Sequence, residues 1–213
     1  IEIADLVALG LVSPAAVQPL QNLPRDQVDY GQLIPLKNRL LASAAAAFAQ
    51  RASAQLKAEL DLFIAANEAL WLRDYALYRV LKTRHCEQSW LDWDPVFAHR
   101  DSAALRDVEA SYGAQLQHVR ILQFLFARQW AELNRYATSC GIKLFGDLPI
   151  YIAMDSADAW AHPELLLTDK MGEPAAVAGV PPDYFSADGQ LWGNPLYDWP
   201  CHARSGFAWW VAR

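Results

Sequence analysis

Apolar side chains recur at intervals of three and four residues along the first 140 positions, with polar side chains between them. This spacing is typical of helices that bury one face. The pattern predicts helices over residues 5–11, from about residue 32, over 54–66 and over 70–82, and a solvated helix in the charged stretch 99–109. Gly10 is expected to stop the first helix, and Pro14, Pro19 and Pro24 are expected to divide the next stretch into turns.

The last helix before residue 140 is predicted to be the longest. Six apolar residues along it are spaced by three or four positions, namely Val119, Leu122, Phe126, Trp130, Leu133 and Ala137. Gly141 suits the left-handed conformation that ends many helices.

The pattern changes at residue 141. Residues 142–145 are typical of a short strand, which Gly146 to Pro149 would end. Residues 141–213 hold seven of the ten Gly and seven of the twelve Pro, too many for regular helices, and five of the nine Trp, too many for a disordered chain. We therefore expect a helical segment over 1–140 and an ordered system of long loops over 141–213. Ordered long loops are often functional.

Composition narrows the class of protein. With 213 residues and 54% hydrophobic side chains the chain can bury a sizeable core. Its net charge of -6 argues against a nucleic-acid partner, and no apolar run approaches the roughly 18 residues of a membrane span. The first residues lack the basic region of a signal peptide. Three widely separated cysteines indicate neither a disulfide framework nor a zinc site, so we expect a cytoplasmic protein.

Asp147 follows the predicted strand directly. In parallel α/β architectures, polar residues at the carboxyl ends of strands line the functional site. A carboxylate there could accept hydrogen bonds from two neighbouring hydroxyl groups of a ligand. Alternatively, Asp147 caps the next turn. Further along, Ser156 or Asp155 could cap a short helix, and Asp158 could be the buried partner of an arginine.

A third candidate lies in residues 179–197. This stretch presents Tyr184, Phe185, Gln190, Trp192 and Asn194 around a tight turn at Asp188 and Gly189. Flat rings beside amide side chains suit carbohydrate, because rings stack on the C–H faces of sugars and amides pair with hydroxyl groups. The same residues could instead form a hydrophobic lid over a core, or a groove for a proline-rich peptide.

The chain offers no convincing catalytic constellation of its own. A retaining glycosidase needs two carboxyl groups about 5–5.5 Å apart. Asp147, Asp155, Asp158 and Asp183 are available, but the nearest glutamates, Glu164 and Glu173, are expected to be solvated. There is no Ser-His-Asp arrangement, metalloprotease motif or phosphate loop in the sequence. The five histidines are scattered and are expected at the surface.

The run from Gly179 to Ser186, together with the run from Gly189 to Trp199, closely resembles the motif of the amylomaltase (disproportionating enzyme) family of 4-α-glucanotransferases. This family is glycoside hydrolase family 77 of the α-amylase clan. Other matching elements lie at residues 28–30, 90–93, 141–151, 155–160 and 207–213. The resemblance covers the whole chain.

The resemblance implies a (β/α)8 barrel with helical insertions. It implies an enzyme that cleaves an α-1,4-glucan, holds the donor sugar on an Asp, and passes it to the 4-hydroxyl of another glucan. A Glu acts as acid and then as base, and no cofactor or metal is needed. By this resemblance Asp147 binds donor-sugar hydroxyls, Tyr184 and Phe185 arch over the glucan, and Trp192 lines the cleft with Gln190 and Asn194 nearby.

The resemblance also indicates what this sequence lacks. The family's nucleophile lies in an Arg-Ile-Asp-His-Phe-Arg type of motif that does not occur here, and the acid/base Glu is also missing. We expect an internal piece of the enzyme, a partial barrel in which residues 1–140 hold the second strand with a helical insertion and residues 141–213 hold the third strand with a long loop and the following helix. Such a piece would be inactive alone, and its open sheet edges could cause self-association. The alternatives are a non-catalytic glucan-binding module and a helical interaction module.

Overall fold

The computed structural model describes residues 1–169 and 172–213. Its helices are α1 (Ile3–Ala8), α2 (Pro14–Gln21), α3 (Tyr30–Arg51), α4 (Ala54–Asn67), α5 (Arg73–Arg84), α6 (Pro95–Ala98), α7 (Ser102–Ser111), α8 (Gly113–Ser139), α9 (Ala157–Ala161), α10 (Trp199–Arg204) and α11 (Ala208–Ala212). A π-helical turn spans Glu68–Leu72, and short 3-10 helices span Trp90–Asp92 and Pro163–Leu165. The strands are β1 (Val177–Val180) and β2 (Gln190–Pro195).

The chain forms two compact units that interleave along the sequence. The first comprises Ile1–Leu72 and Gly113–Leu144, and the second comprises Arg73–Tyr112 and Phe145–Arg213. The limit between Leu144 and Phe145 lies close to the change in composition at residue 140, whereas Arg73–Tyr112, within the helical stretch, belong to the second unit.

Side-chain caps set the starts of the helices in the first unit. Asp29 accepts a hydrogen bond from the Gln32 backbone at 3.1 Å, and Ser53 accepts one from the Leu56 backbone at 3.1 Å. These bonds satisfy backbone N–H groups that have no partner within the first turn. Helices α3 and α4 accordingly begin within two residues of their predicted starts.

The expectation that Pro14 and Pro19 divide the chain into turns is wrong, because both lie within α2. Pro14 occupies the first helical turn, where a backbone N–H has no partner to lose, and Ser13 caps this helix. Pro19 removes one backbone hydrogen bond, which a helix of eight residues tolerates here. Gly10 has a φ of +71° just after α1, in agreement with the predicted stop.

The core of the first unit lies between α1, α3, α4 and α8. Phe48 on α3 is 2% exposed and makes an edge-to-face contact with Phe124 on α8, with ring centroids 6.2 Å apart. Ile121 and Leu125 pack into the same core, together with Leu6, Leu40 and Leu60.

The six apolar residues of helical spacing on α8 do not all lie in the core. Phe126, Trp130 and Leu133 are each about half exposed, whereas Ala137 is buried and Leu122 packs against the core. Helix α8 carries apolar residues on two neighbouring faces, and both have helical spacing. Helices α3 and α4 cover the face that holds Phe124 and not the face that holds Phe126, a choice that periodicity cannot make.

The core of the second unit is aromatic. Trp90 and Trp93 are buried, and Trp160 from α9 lies beside Tyr78 of α5 at a centroid distance of 6.0 Å. The helix predicted over residues 70–82 appears as α5, which starts at Arg73 and is preceded by the π-helical turn. The charged stretch forms α7 and buries two apolar side chains, Leu105 and Val108.

Strands β1 and β2 form an antiparallel pair, with Val180 opposite Gln190 and Gly179 opposite Leu191. The strand predicted over 142–145 is wrong for this structure, since residues 142–149 have no regular secondary structure and make no ladder among the residues described. A segment becomes a strand only when a neighbour takes up its backbone hydrogen bonds. The second strand expected within residues 1–140 is not observed either, and the chain starts with α1 at Ile3.

The described residues therefore form a helix-rich chain with one small sheet. Among them, no helix combines the length and the apolar character that crossing a membrane would need.

The core assignment can be tested with two phenylalanines. We expect Phe48→Ala to lower the free energy of unfolding by about 3–5 kcal/mol, because it leaves a cavity against Phe124. Phe126→Ala removes a ring that is 53% exposed and should cost less than about 1 kcal/mol. Urea titrations followed by circular dichroism measure both values, and equal losses would contradict the assignment of the core face.

Candidate functional site

The loop of the β1–β2 hairpin carries two fully displayed aromatic rings. Tyr184 is 97% exposed and Phe185 is 89% exposed, and their rings make an edge-to-face contact with centroids 5.6 Å apart. A large apolar ring facing water is unfavourable unless it serves another purpose. The two rings are therefore candidates for contact with a ligand.

The turn that carries these rings is held by hydrogen bonds. The Asp183 Oδ1 atom accepts from the backbone N–H groups of Phe185 at 2.9 Å and Ser186 at 2.8 Å. The Ser186 hydroxyl donates to the Gly189 carbonyl at 2.7 Å. The loop thus displays its rings on a turn that is already ordered, which reduces the entropy lost when a ligand binds.

Two glycines allow the hairpin to close. A Cβ atom on Gly179 would lie 2.6 Å from the Gln190 carbonyl oxygen. Gly189 has a φ of +74°, and a Cβ atom there would lie 2.6 Å from the Val180 carbonyl oxygen. A side chain at either position would push the two strands apart.

Gln190 and Trp192 lie together on β2. The Trp192 indole N–H donates to Gln190 Oε1 at 3.1 Å, and the Trp192 side chain is 49% exposed. This bond uses the oxygen of the Gln190 amide and leaves its N–H groups as possible donors. A half-exposed indole beside an amide donor is the arrangement that the sequence predicted for this stretch.

Asn194 has a structural contact. Its Nδ2 atom donates to the Ile152 carbonyl at 2.9 Å, and the side chain is half-buried. The amide thereby joins β2 to the segment that follows Asp147. A role of Asn194 in ligand binding remains a prediction. Only its amide oxygen and its second N–H group are available to bind a ligand.

Asp147 lies in the exposed segment 142–149, which has no regular secondary structure. Its carboxylate makes no hydrogen bond or ion pair with the residues that the structure describes, so the alternative role as a turn cap is not observed. The described contacts join Gln190 to Trp192, and Asn194 to the Ile152 carbonyl, but they do not join Asp147 to any of the three. Ile150 lies three residues after Asp147, and its carbonyl accepts a hydrogen bond from the Tyr197 hydroxyl at 2.9 Å.

Residues 155–160 have a structural function. Ser156 caps α9 and accepts from the Ala159 backbone at 3.2 Å, as expected. Among the described residues Asp158 has no arginine partner, and its Oδ1 atom accepts from the Trp209 indole at 3.2 Å. Asp155 contacts two residues of α5 through its carboxylate.

Lys82 is the residue that sequence reasoning missed. Only 8% of its side chain is exposed, and its ammonium group forms an ion pair with Asp155 and donates to the Gln88 carbonyl at 2.8 Å. The Tyr78 hydroxyl donates to the other Asp155 oxygen at 2.8 Å. Tyr78 and Lys82 are four residues apart on α5, and this spacing was the one available sign that they share a face.

The network shifts two pKa values. Burial alone would raise the pKa of Asp155, but hydrogen bonds from Lys82 and Tyr78 hold it below its usual value. Burial raises the pKa of Tyr78, and the neighbouring Asp155 carboxylate raises it further. At neutral pH Asp155 is therefore a carboxylate and Tyr78 a neutral phenol.

Comparison with known proteins identifies relatives over the whole chain. A family model described as 4-alpha-glucanotransferase (glycoside hydrolase family 77) matches residues 1–213. A 4-alpha-glucanotransferase of Synechocystis is 42% identical over 214 residues, which cover 100% of this chain and 42% of that protein. The Thermus thermophilus 4-alpha-glucanotransferase is 43% identical over 192 residues, which cover 89% of this chain and 38% of that protein.

A solved structure agrees with these matches. The amylomaltase from Streptococcus agalactiae in complex with acarbose superposes with a TM-score of 0.87 at 33% identity, covering 99% of this chain and 42% of that one. The chain thus spans about two fifths of the length of these proteins.

The Asp155 network predicts a loss of stability in acid. Because the folded-state pKa is lowered, the stabilisation is complete above the ordinary value of 3.8 and is lost as the pH falls through the lower folded-state value. We expect Asp155→Asn to reduce the free energy of unfolding by about 1–3 kcal/mol at neutral pH, since the buried Lys82 ammonium loses its carboxylate. The difference from wild type should shrink as the pH falls below the ordinary value of 3.8 and vanish once Asp155 is protonated in the folded wild type.

Urea titrations from acid to neutral pH measure this effect. Asp61→Asn is the matched control, because Asp61 is exposed on α4, and its curve should follow wild type throughout. A constant difference between Asp155→Asn and wild type at all pH values would contradict the proposed linkage.

Proposed function

Because the chain belongs to the 4-alpha-glucanotransferase family, we propose that it supplies part of the substrate cleft of an enzyme that transfers α-1,4-glucan segments between maltosaccharides by a retaining double displacement. The observation that carries this proposal is the ordered hairpin loop, which displays Tyr184 and Phe185 on a hydrogen-bonded turn next to Gln190 and Trp192. An α-glucan offers C–H faces to such rings and hydroxyl groups to such amides.

Each predicted site residue has a role in this proposal. Tyr184 and Phe185 lie over the glucan, and Trp192 forms a wall of the cleft. The Gln190 N–H groups donate to sugar hydroxyls, and the Asn194 amide oxygen accepts from them. Asp147 accepts from two hydroxyls of the donor sugar, and its unpaired and exposed carboxylate supports this role because charge-assisted hydrogen bonds are the stronger ones.

We assign the chain to part of a (β/α)8 barrel. Its likeness to the amylomaltase structure supports this assignment. Phe145 is fully exposed, and Ile142 and Leu144 are also exposed. Backbone outside any described sheet ladder, with exposed apolar side chains, favours pairing with another strand. We therefore also propose that two copies of this chain can associate through this segment.

The proposal requires no cofactor and places the protein in the cytoplasm. The three cysteines are free thiols in the structure, which suits a reducing compartment. The potato relative, which is 38% identical to this chain, is described as chloroplastic or amyloplastic.

The 213 residues by themselves are predicted to lack transferase activity, because the nucleophile and the acid/base residue of the family have no counterpart in this sequence. Incubation with maltotriose should leave maltotriose unchanged, as judged by chromatography of the sugars. The Synechocystis relative serves as the positive control under the same conditions. Longer and shorter maltosaccharides formed by this chain would contradict the prediction.

Glucan binding by this chain is predicted to be weak and to depend on Trp192. Titration with maltoheptaose, followed by nuclear magnetic resonance, should give millimolar affinity at best. Trp192→Ala should weaken binding about 10-fold or more through the loss of a stacking surface. Trp130→Ala is the matched control, since Trp130 is 51% exposed on α8 outside the hairpin. Micromolar affinity would contradict the prediction, and equal effects of the two variants would favour an interaction module that merely retains the loop.

A further inference from the structure

Three aromatic rings connect the exposed hairpin with the interior of the second unit. Trp192 makes an edge-to-face contact with Tyr151, with centroids 5.9 Å apart and planes at 68°. Tyr151 stacks on Tyr197, with centroids 6.2 Å apart and planes within 4° of parallel. Tyr197 is only 4% exposed. Tyr151 is thus the single ring between a half-exposed indole and a buried phenol in this series.

The inner end of the series is fixed by its surroundings. Tyr197 contacts the rings of Trp210 at 5.1 Å and His202 at 5.4 Å. Its hydroxyl donates to the Ile150 carbonyl. A ring that is packed on several sides and hydrogen-bonded at its tip has little freedom to move.

The backbone around Tyr151 is held on both sides. The Ile150 carbonyl accepts from the Tyr197 hydroxyl, and the Ile152 carbonyl accepts from the Asn194 amide, each at 2.9 Å. Both donors belong to the chain that begins with β2. Tyr151 is therefore fixed by the same stretch of chain that carries Trp192.

Trp192 has few constraints of its own. Its indole N–H is bound to Gln190 Oε1, a side chain that is itself exposed. The next residue, Gly193, has a φ of +77°, so the backbone beside the indole departs from regular strand geometry. Among the described residues, Tyr151 is the one whose ring contacts the Trp192 indole.

We propose that Tyr151 is a positioning residue that fixes the indole plane of Trp192 for glucan binding. The inference rests on the proposed function of the hairpin. It adds a residue to which neither the sequence motif nor the described hydrogen bonds assign a role. The Tyr151 hydroxyl makes no hydrogen bond with the described residues. We therefore assign the positioning of Trp192 to the Tyr151 ring.

Two substitutions separate the ring from the hydroxyl. Tyr151→Leu removes the ring, and Tyr151→Phe keeps it as the matched control. The first readout needs no sugar: the indole N–H resonance of Trp192, assigned by its loss in Trp192→Phe, with ¹⁵N relaxation as the measure of its motion. The second readout is the dissociation constant for maltoheptaose.

We expect Tyr151→Leu to shift the Trp192 resonance and increase its motion, and to weaken maltoheptaose binding about 3–10-fold through the freedom that the indole regains. Tyr151→Phe should match wild type in both readouts. The buried Trp160 indole, which donates to the Phe97 carbonyl at 2.9 Å, reports whether the unit remains folded. If the Trp160 resonance is lost in Tyr151→Leu, the Tyr151→Met variant is used instead, because the longer Met side chain fills more of the space left by the Tyr151 ring.

An unchanged Trp192 resonance in the folded Leu or Met variant would overturn the inference. Weaker binding by Tyr151→Phe with an unchanged indole would also overturn it, since it would place the hydroxyl on the sugar. If wild type binds no maltoheptaose, the proposed function of the hairpin fails, and the indole readout alone then decides whether Tyr151 positions Trp192.

Discussion

A buried ammonium must be paired, and in the second unit Lys82 meets this requirement through Asp155. The pair has a structural consequence because Asp155 does not lie on a helix. It lies in the loop that precedes α9, so satisfying Lys82 brings this loop against α5. The Trp90 indole holds the neighbouring Met154 carbonyl at 2.7 Å. The loop is thereby fixed at one end by contacts that have no direct part in ligand binding.

The other end of the same loop is fixed by the hairpin. Asn194 and Tyr197 bind the carbonyls of Ile152 and Ile150, so the stretch 150–155 is held by α5 on one side and by the β2 region on the other. Because Tyr151 lies inside this stretch, its ring can support Trp192. The candidate site thus depends on a chain of contacts that starts at a buried charge and ends at an exposed indole.

Binding and chemistry are separable in this chain. Tyr184, Phe185, Gln190 and Trp192 present rings and an amide on an ordered loop, which is what recognition of a sugar polymer needs. Asp155, Asp158 and Asp183 hold loops through hydrogen bonds, and Asp147 remains exposed. Asp155, Asp158 and Asp183 thus have structural roles, Asp147 is the carboxylate proposed for binding, and the double displacement proposed for the enzyme depends on family residues with no counterpart in this sequence.

Much of this protein could be predicted from sequence alone. Local rules placed α3, α4 and α8, the cap at Ser156, and the stops at Gly10 and Gly141, because each depends on neighbours within a few residues. The long motif over 179–199 predicted the family, which the comparisons confirmed.

Tertiary structure decided the rest. Periodicity shows which residues of α8 share a face but not which face is covered, and the strand expected over 142–145 depends on a neighbour for its hydrogen bonds. The partners of Asp155 and Asn194, and the burial of Lys82, likewise depend on residues far away in sequence, because charge and hydrogen-bond energies are set by distance in space.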